Sequence, residues 1–67
     1  MKLYVYVVAV YQVDSEADIV TGVCSTLDTA LQIIQKTELN YDKSWIKEIY
    51  EYEIDTYYQH GGRYIAL

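Results

Sequence analysis

The stretch Lys2–Val13 constrains this chain more than any other part of it. It alternates as a β-strand does, and both of its faces are apolar: Leu3, Val5, Val7 and Ala9 point one way, and Tyr4, Tyr6, Val8 and Val10 the other. A strand of that kind sits centrally in a sheet or has its second face covered by a partner. A single Lys before a short apolar run also imitates an export leader. The alternation, the Tyr and Val content and the want of a small-residue cleavage site favour the strand. No run approaches the roughly 18 apolar residues of a membrane span, so none is expected.

The rest of the chain supplies partners for that strand. Asp14-Ser15-Glu16-Ala17-Asp18 is a polar break, and Ile19–Cys24 is a second strand, so the two form a hairpin. Gly22 inside the second strand predicts a bulge or a close backbone approach. Ser25-Thr26-Leu27-Asp28 fits a capping box, with Ser25 as N-cap and Asp28 reaching back to its amide. Leu27, Ala30, Leu31 and Ile34 then form an apolar helical stripe with Ile33 at its margin, and the helix is expected to end near Leu39-Asn40, with Asn40 as a left-handed cap. After a loop over residues 40–44, Trp45–Asp55 reads as a third strand. Tyr50, Tyr52 and Ile54 lie on one of its faces, and Lys47, Glu51, Glu53 and Asp55 on the other, a wet face. Gly61-Gly62 marks a tight turn, and residues 63–67 return as a short fourth strand. The expected fold class is α+β, ββαβ(β): an antiparallel sheet with one helix packed on one face. It forms a single domain over residues 1–67, with a core at 2–55 and a C-terminal hairpin extension at 56–67.

Composition narrows the function. Ten acidic residues against five basic ones give a net charge of −5, with one Cys, one His and no Pro. These counts exclude a disulfide framework, a zinc site of Cys and His, and a nucleic-acid reader with a basic face. They call for no cofactor and no metal. A chain of 67 residues buries a small core, and with neither disulfide nor metal to staple it, a homo-oligomer or an obligate partner is favoured. The lone Cys24 and the lack of an export leader point to the cytoplasm. Cys24 and His60 are the only candidates for a nucleophile and its base, but the plainer readings are a small apolar residue at a strand end and a polar turn residue. Glu48, Glu51, Glu53 and Asp55 could work as paired carboxylates, yet the chain is too short to wall a cleft around them.

Nine Tyr and no Phe is the most informative count. A buried core commonly uses Phe, because each buried phenol needs a hydrogen-bond partner. Tyr without Phe therefore points to rings that lie half in and half out of water, as at interfaces, while the plainer reading, that Tyr is a good strand former covering the sheet edge, stands equally beside it.

Residues 22–30, Gly-Val-Cys-Ser-Thr-Leu-Asp-Thr-Ala, resemble a strand-to-helix element of short bacterial and phage domains of unknown function, which read Gly-Val-aromatic-Ser-Ser-x-Glu-x-Ala. Those domains begin with a Val/Tyr-rich strand and finish with an acidic, Tyr-containing strand, as this chain does at 48–54. The resemblance spans about residues 2–55, with Cys24 where an aromatic is usual. It implies a compact ββαβ fold and brings no catalytic residue.

The reading that follows is a small acidic, non-enzymatic protein-binding module, of the kind a phage or mobile element uses to inhibit a host protein. Its binding residues are Tyr50, Tyr52, Glu51, Glu53, Asp55, Tyr57, Tyr58 and Arg63. Its carboxylates imitate DNA phosphates in one version. The aromatic patch is expected at Tyr50 and Tyr52 or at Tyr4 and Tyr6. Two alternatives stand beside it. One is an oligomer that sequesters a nucleotide or other small molecule between subunits, by Tyr stacking with Arg63 and the Gly61-Gly62 amides. The other is a structural oligomerisation module.

Overall fold

In the computed structural model the described residues are 2–15 and 17–67, so Glu16 of the polar break lies outside them. Their elements run β1 (Tyr4–Tyr11), β2 (Ile19–Cys24), α1 (Leu27–Thr37), β3 (Ile46–Glu53) and β4 (Arg63–Ile65). The strands form one antiparallel sheet in the order β2-β1-β3-β4, so the doubly apolar strand is central, as its pattern requires. The architecture is the small α+β fold expected from the sequence. At 38 × 25 × 16 Å the molecule is two layers thick.

The helix covers one face of that sheet. Val8, Ala30, Ile34 and Ile49 form the buried centre, with Tyr6, Cys24, Leu27, Ile33 and Ile65 packed around it. Gly22 fulfils both of its sequence expectations. The β1–β2 register shifts between Val8 and Ala9, leaving Thr21 as the extra residue of a β-bulge. A Cβ built on Gly22 would lie 2.8 Å from both Cγ2 and Cδ1 of Ile33, so only glycine lets the helix approach β2 this closely.

Several expectations need correction. The N-cap is Thr26, not Ser25. Its backbone is extended and its side-chain Oγ1 accepts the Thr29 amide at 3.2 Å, while its hydroxyl donates to Thr29 Oγ1 at 2.9 Å. Ser25 is taken up by the bend leaving β2, and Asp28 sits in the first turn without closing a capping box. At the other end Glu38 is right-handed, and the chain leaves through short bonds from the Leu39 amide to Lys36 O and the Asn40 amide to Thr37 O. Asn40 is no left-handed cap; Asp55 and Gly61 are the residues with positive φ among those described.

The helix is also turned about its axis. Leu31 is 43% exposed, while Ile33 packs on Gly22 and Thr37 is buried. The Thr37 hydroxyl donates to Ile33 O at 2.7 Å, which leaves the Thr21 hydroxyl to donate to Thr37 Oγ1 at 3.1 Å. The bulge thus aims Thr21 at the last helical turn, and the helix leans over β2 rather than β4.

The third strand is shorter than Trp45–Asp55. Trp45 closes a turn instead, its amide donating to Asp42 O and its ring meeting Tyr41 edge-on at 4.9 Å. The face expected to be wet carries the fully buried Ile49 and packs under the helix layer. The chain reverses after β3 at Ile54-Asp55, with Asp55 at φ 63°, and not at the Gly61-Gly62 pair. Gly62 serves instead for close approach, since a Cβ there would stand 2.5 Å from Glu51 O.

Gly22→Ala is expected to cost about 1–3 kcal/mol, the usual range for overpacking. Urea unfolding would measure it, and adding Ile33→Ala should return part of the loss if the collision is with Ile33.

Candidate functional site

The pleat divides the residues that the sequence analysis grouped. On β3 the odd positions Glu51 and Glu53 lie on the helix-side face with Ile49, opposite Tyr6 and Tyr4. The even positions Glu48, Tyr50 and Tyr52 lie on the opposite, open face, beside Ala9, Val7 and Val5. On β4, Arg63 pairs with Glu51 on the helix side and Tyr64 with Tyr50 on the open face. The expected acidic and phenolic residues therefore occupy two surfaces. Asp55 lies in the turn after β3, and Tyr57 is 82% exposed in the loop that follows.

The helix-side group is a closed network. Arg63 Nε donates to Glu51 Oε1 at 3.0 Å, and the Tyr6 hydroxyl donates to Glu51 Oε2 at 2.9 Å. Both bonds favour the carboxylate, so the Glu51 pKa is lowered, first by Arg63 and then by Tyr6. The same bond to Glu51 raises the pKa of Tyr6. Tyr4 and Tyr6 line an open groove of about 580 Å³ by the helix N-terminus, with Leu3, Leu27 and Ile54.

The open face is different in character. Val20 and Val23 of β2 are 57% and 64% exposed, and Tyr64 of β4 is 53% exposed. Tyr50 and Tyr64 meet edge-on at 5.9 Å. Tyr52 meets Tyr58 edge-on at 5.2 Å, because the loop after Asp55 folds back along β3. There the Tyr58 hydroxyl accepts the Glu53 amide at 2.7 Å, beyond the last rung of the three-residue β4. Val7, Val20, Tyr50, Tyr52, Asp18 and His60 line a shallow groove of about 290 Å³ on this face.

None of the nine tyrosines is buried, in keeping with the expectation for Tyr without Phe. The open-face phenols sit in a negative field. The Tyr50 hydroxyl donates to Glu48 Oε1 at 2.8 Å. That bond first, then partial desolvation and the charges of Glu48 and Asp18, push its pKa up to about 12. Desolvation first, then Glu48, raises the pKa of Tyr11 on the same face. The basic residues lie elsewhere: Lys47 and Arg63 are on the helix side by register, Lys36 is on α1, Lys43 is in the following loop, and Lys2 lines the groove of Tyr4 and Tyr6.

Cys24 and His60 fall on opposite faces. Cys24 stands opposite Tyr6 on the helix side, with Sγ 3.6 Å from Tyr6 O, and His60 lies along the open-face groove. The sheet stands between them. Among the described residues, no three His, Cys, Asp or Glu side chains converge as metal ligands, and no helix is long and apolar enough to cross a membrane.

Val20, Val23 and Asp18 are not among the candidate residues legible in the sequence. Val20 and Val23 are three apart and share a face only because Thr21 is extra. The signal was Gly22, since a bulge reverses the alternation of every residue before it.

A family model described as a domain of unknown function, DUF7336, matches residues 1–63. The chain belongs to this family. The match takes in the loop that carries Tyr57 and Tyr58 and reaches the first residue of β4. No curated protein and no solved structure is significantly similar to it. The DUF7336 assignment agrees with the expected small domain of unknown function.

Tyr50 supplies a pH test. Its folded pKa lies above the ordinary value of 10.0, so its contribution to stability is complete below about pH 10 and is lost as pH rises toward about 12. Absorbance titration at alkaline pH should show a late-ionising tyrosine, and Glu48→Gln should return it toward 10. An unchanged titration curve in Glu48→Gln would refute the hydrogen bond as the main cause.

Proposed function

We propose that the chain is a non-enzymatic, cytoplasmic protein-binding module that docks a basic protein surface on the open face of its sheet. The observation that carries this reading is charge segregation on an uncovered face. Val7, Val20, Tyr50 and Tyr64 lie beside the carboxylates Glu48 and Asp18, while all five Lys and Arg side chains belong to other surfaces. An apolar and aromatic centre with a rim of one sign is the composition of a protein interface whose partner carries the other sign.

A protein surface is favoured over DNA mimicry because the carboxylates of β3 make no single row. Glu48 is on one face, while Glu51 and Glu53 are on the other, and Glu51 is already paired with Arg63. The same pairing takes Arg63 away from the Tyr50–Tyr52 groove and weakens the nucleotide-sequestering alternative. Separation of Cys24 from His60 supports the non-enzymatic reading. Residues 22–30 carry the element on which a bacterial or phage source, and inhibition of a host protein, are proposed.

The test is affinity capture from the native host, read by mass spectrometry with wild type, Glu48→Lys, Tyr64→Ala and the helix-side control Leu31→Ala. The expected result is a basic protein whose recovery falls about tenfold or more, a change of about 1.4 kcal/mol, in the two open-face variants and not in Leu31→Ala. Recovery should also fall as salt rises from about 0.1 to 0.5 M, as screening requires. Recovery that is equal in all four proteins would overturn the reading.

A further inference from the structure

The edge strand β2 carries neither charge nor proline over its six residues, Ile-Val-Thr-Gly-Val-Cys. Edge strands are ordinarily protected from pairing by a Lys, a Pro, a bulge or a short length. The bulge is the one such device here, and it leaves an unusual pattern. Gly22 and Cys24 stand opposite Val8 and Tyr6, on the helix side, and Ile19 stands opposite Val10, also on the helix side. Thr21 faces the helix too, through its bond to Thr37. Val23 and Val20 stand opposite Val7 and Ala9, on the open face.

From Ile19 to Cys24 the sides therefore run helix, open, helix, helix, open, helix, which is the same in both directions. Residues directly opposite in an antiparallel pair share a face. A second copy of β2, related by a twofold axis between Thr21 and Gly22, meets that condition at every position: Ile19 opposite Cys24, Val20 opposite Val23, and Thr21 opposite Gly22. Sliding the register by one residue either way puts a helix-side residue opposite an open-face one, beginning with Val20 against Gly22 or Thr21 against Val23. The next pair outward is Asp18 with Ser25, so no two carboxylates oppose each other.

We infer that β2 pairs antiparallel with β2 of a second copy, joining two four-stranded sheets into one of eight strands. Such an interface is isologous, as a twofold dimer demands. The exposed Val20 and Val23 of both copies meet across it, and the two open faces become one surface. Each chain carries a charge of −5, so salt screens the repulsion between copies and strengthens the dimer. Salt has the opposite effect on docking of a basic partner. The two proposals can therefore fail separately.

Sedimentation of the full chain, from micromolar to about 0.2 mM, is expected to give twice the monomer mass, with the monomer fraction shrinking as salt increases. Val23→Lys, which places an ammonium against the facing Val20, should sediment as a monomer with unchanged circular dichroism. Register is tested by cross-linking. Ile19→Cys should form an interchain disulfide with native Cys24 on oxidation, giving a dimer on a non-reducing gel. Val20→Cys, with its thiol on the opposite face from Cys24, should give none with it. Cys24→Ser added to each background removes bonds made through Cys24 and isolates any Val20→Cys self-pairing. A monomer throughout the concentration range, a dimer that persists in Val23→Lys, or a Cys24-dependent cross-link as strong from Val20→Cys as from Ile19→Cys would overturn the inference.

Discussion

The ladder between β1 and β3 fixes most of what this molecule can present. It runs without interruption from Tyr4↔Glu53 to Tyr11↔Ile46, and a continuous ladder admits one phase of alternation. Once Ile49 is set opposite Val8 beneath the helix, Glu51 and Glu53 are committed to the helix side, and Glu48, Tyr50 and Tyr52 to the other. A slip of one residue would bury Glu48 and expose Ile49. The division of the acidic strand into two surfaces is thus a consequence of the core and not a separate feature.

The core itself is small: its buried apolar residues are Val8, Ala9, Val10, Ala30, Ile34 and Ile49. With so little interior, the phenols do work that buried rings do in larger domains. Tyr6 ties β1 to Glu51, Tyr50 packs on Tyr64, and Tyr58 supplies an acceptor to an edge amide that β4 is too short to reach. Each of these rings covers part of the sheet while its hydroxyl finds a polar neighbour. Phe could provide the first function but not the second, which accounts for the composition in physical terms.

Much of the architecture was legible because it is written in period. The doubly apolar run placed β1 centrally, and the 3.6-residue stripe at Leu27, Ala30 and Ile34 located the helix. Gly22 announced both the bulge and the close contact. What sequence patterns could not convey was rotation and reach. Ile33 rather than Leu31 faces the sheet because the helix leans toward the gap left at Gly22, a tertiary fact. Thr26 rather than Ser25 caps the helix because the chain needs one more residue to leave β2. The face of Glu51 looked wet by count, three acids and a lysine, but Ile49 lies in the same row and decides its burial. The candidate binding residues were found as a chemical set, yet their division between faces requires the register, and Val20 and Val23 enter only through the bulge.

The bond from the Glu53 amide to the Tyr58 hydroxyl has a consequence for how this chain can vary in length. Loops commonly accept insertions and deletions, since their ends need only be brought together. Here the count from 53 to 58 is set by a phenol that must arrive at one amide, and Gly62 must then lie against Glu51 O. An added or missing residue between Asp55 and Tyr57 would carry Tyr58 past its acceptor position and strip Tyr52 of its neighbour. The β3–β4 connection therefore behaves as a fixed part.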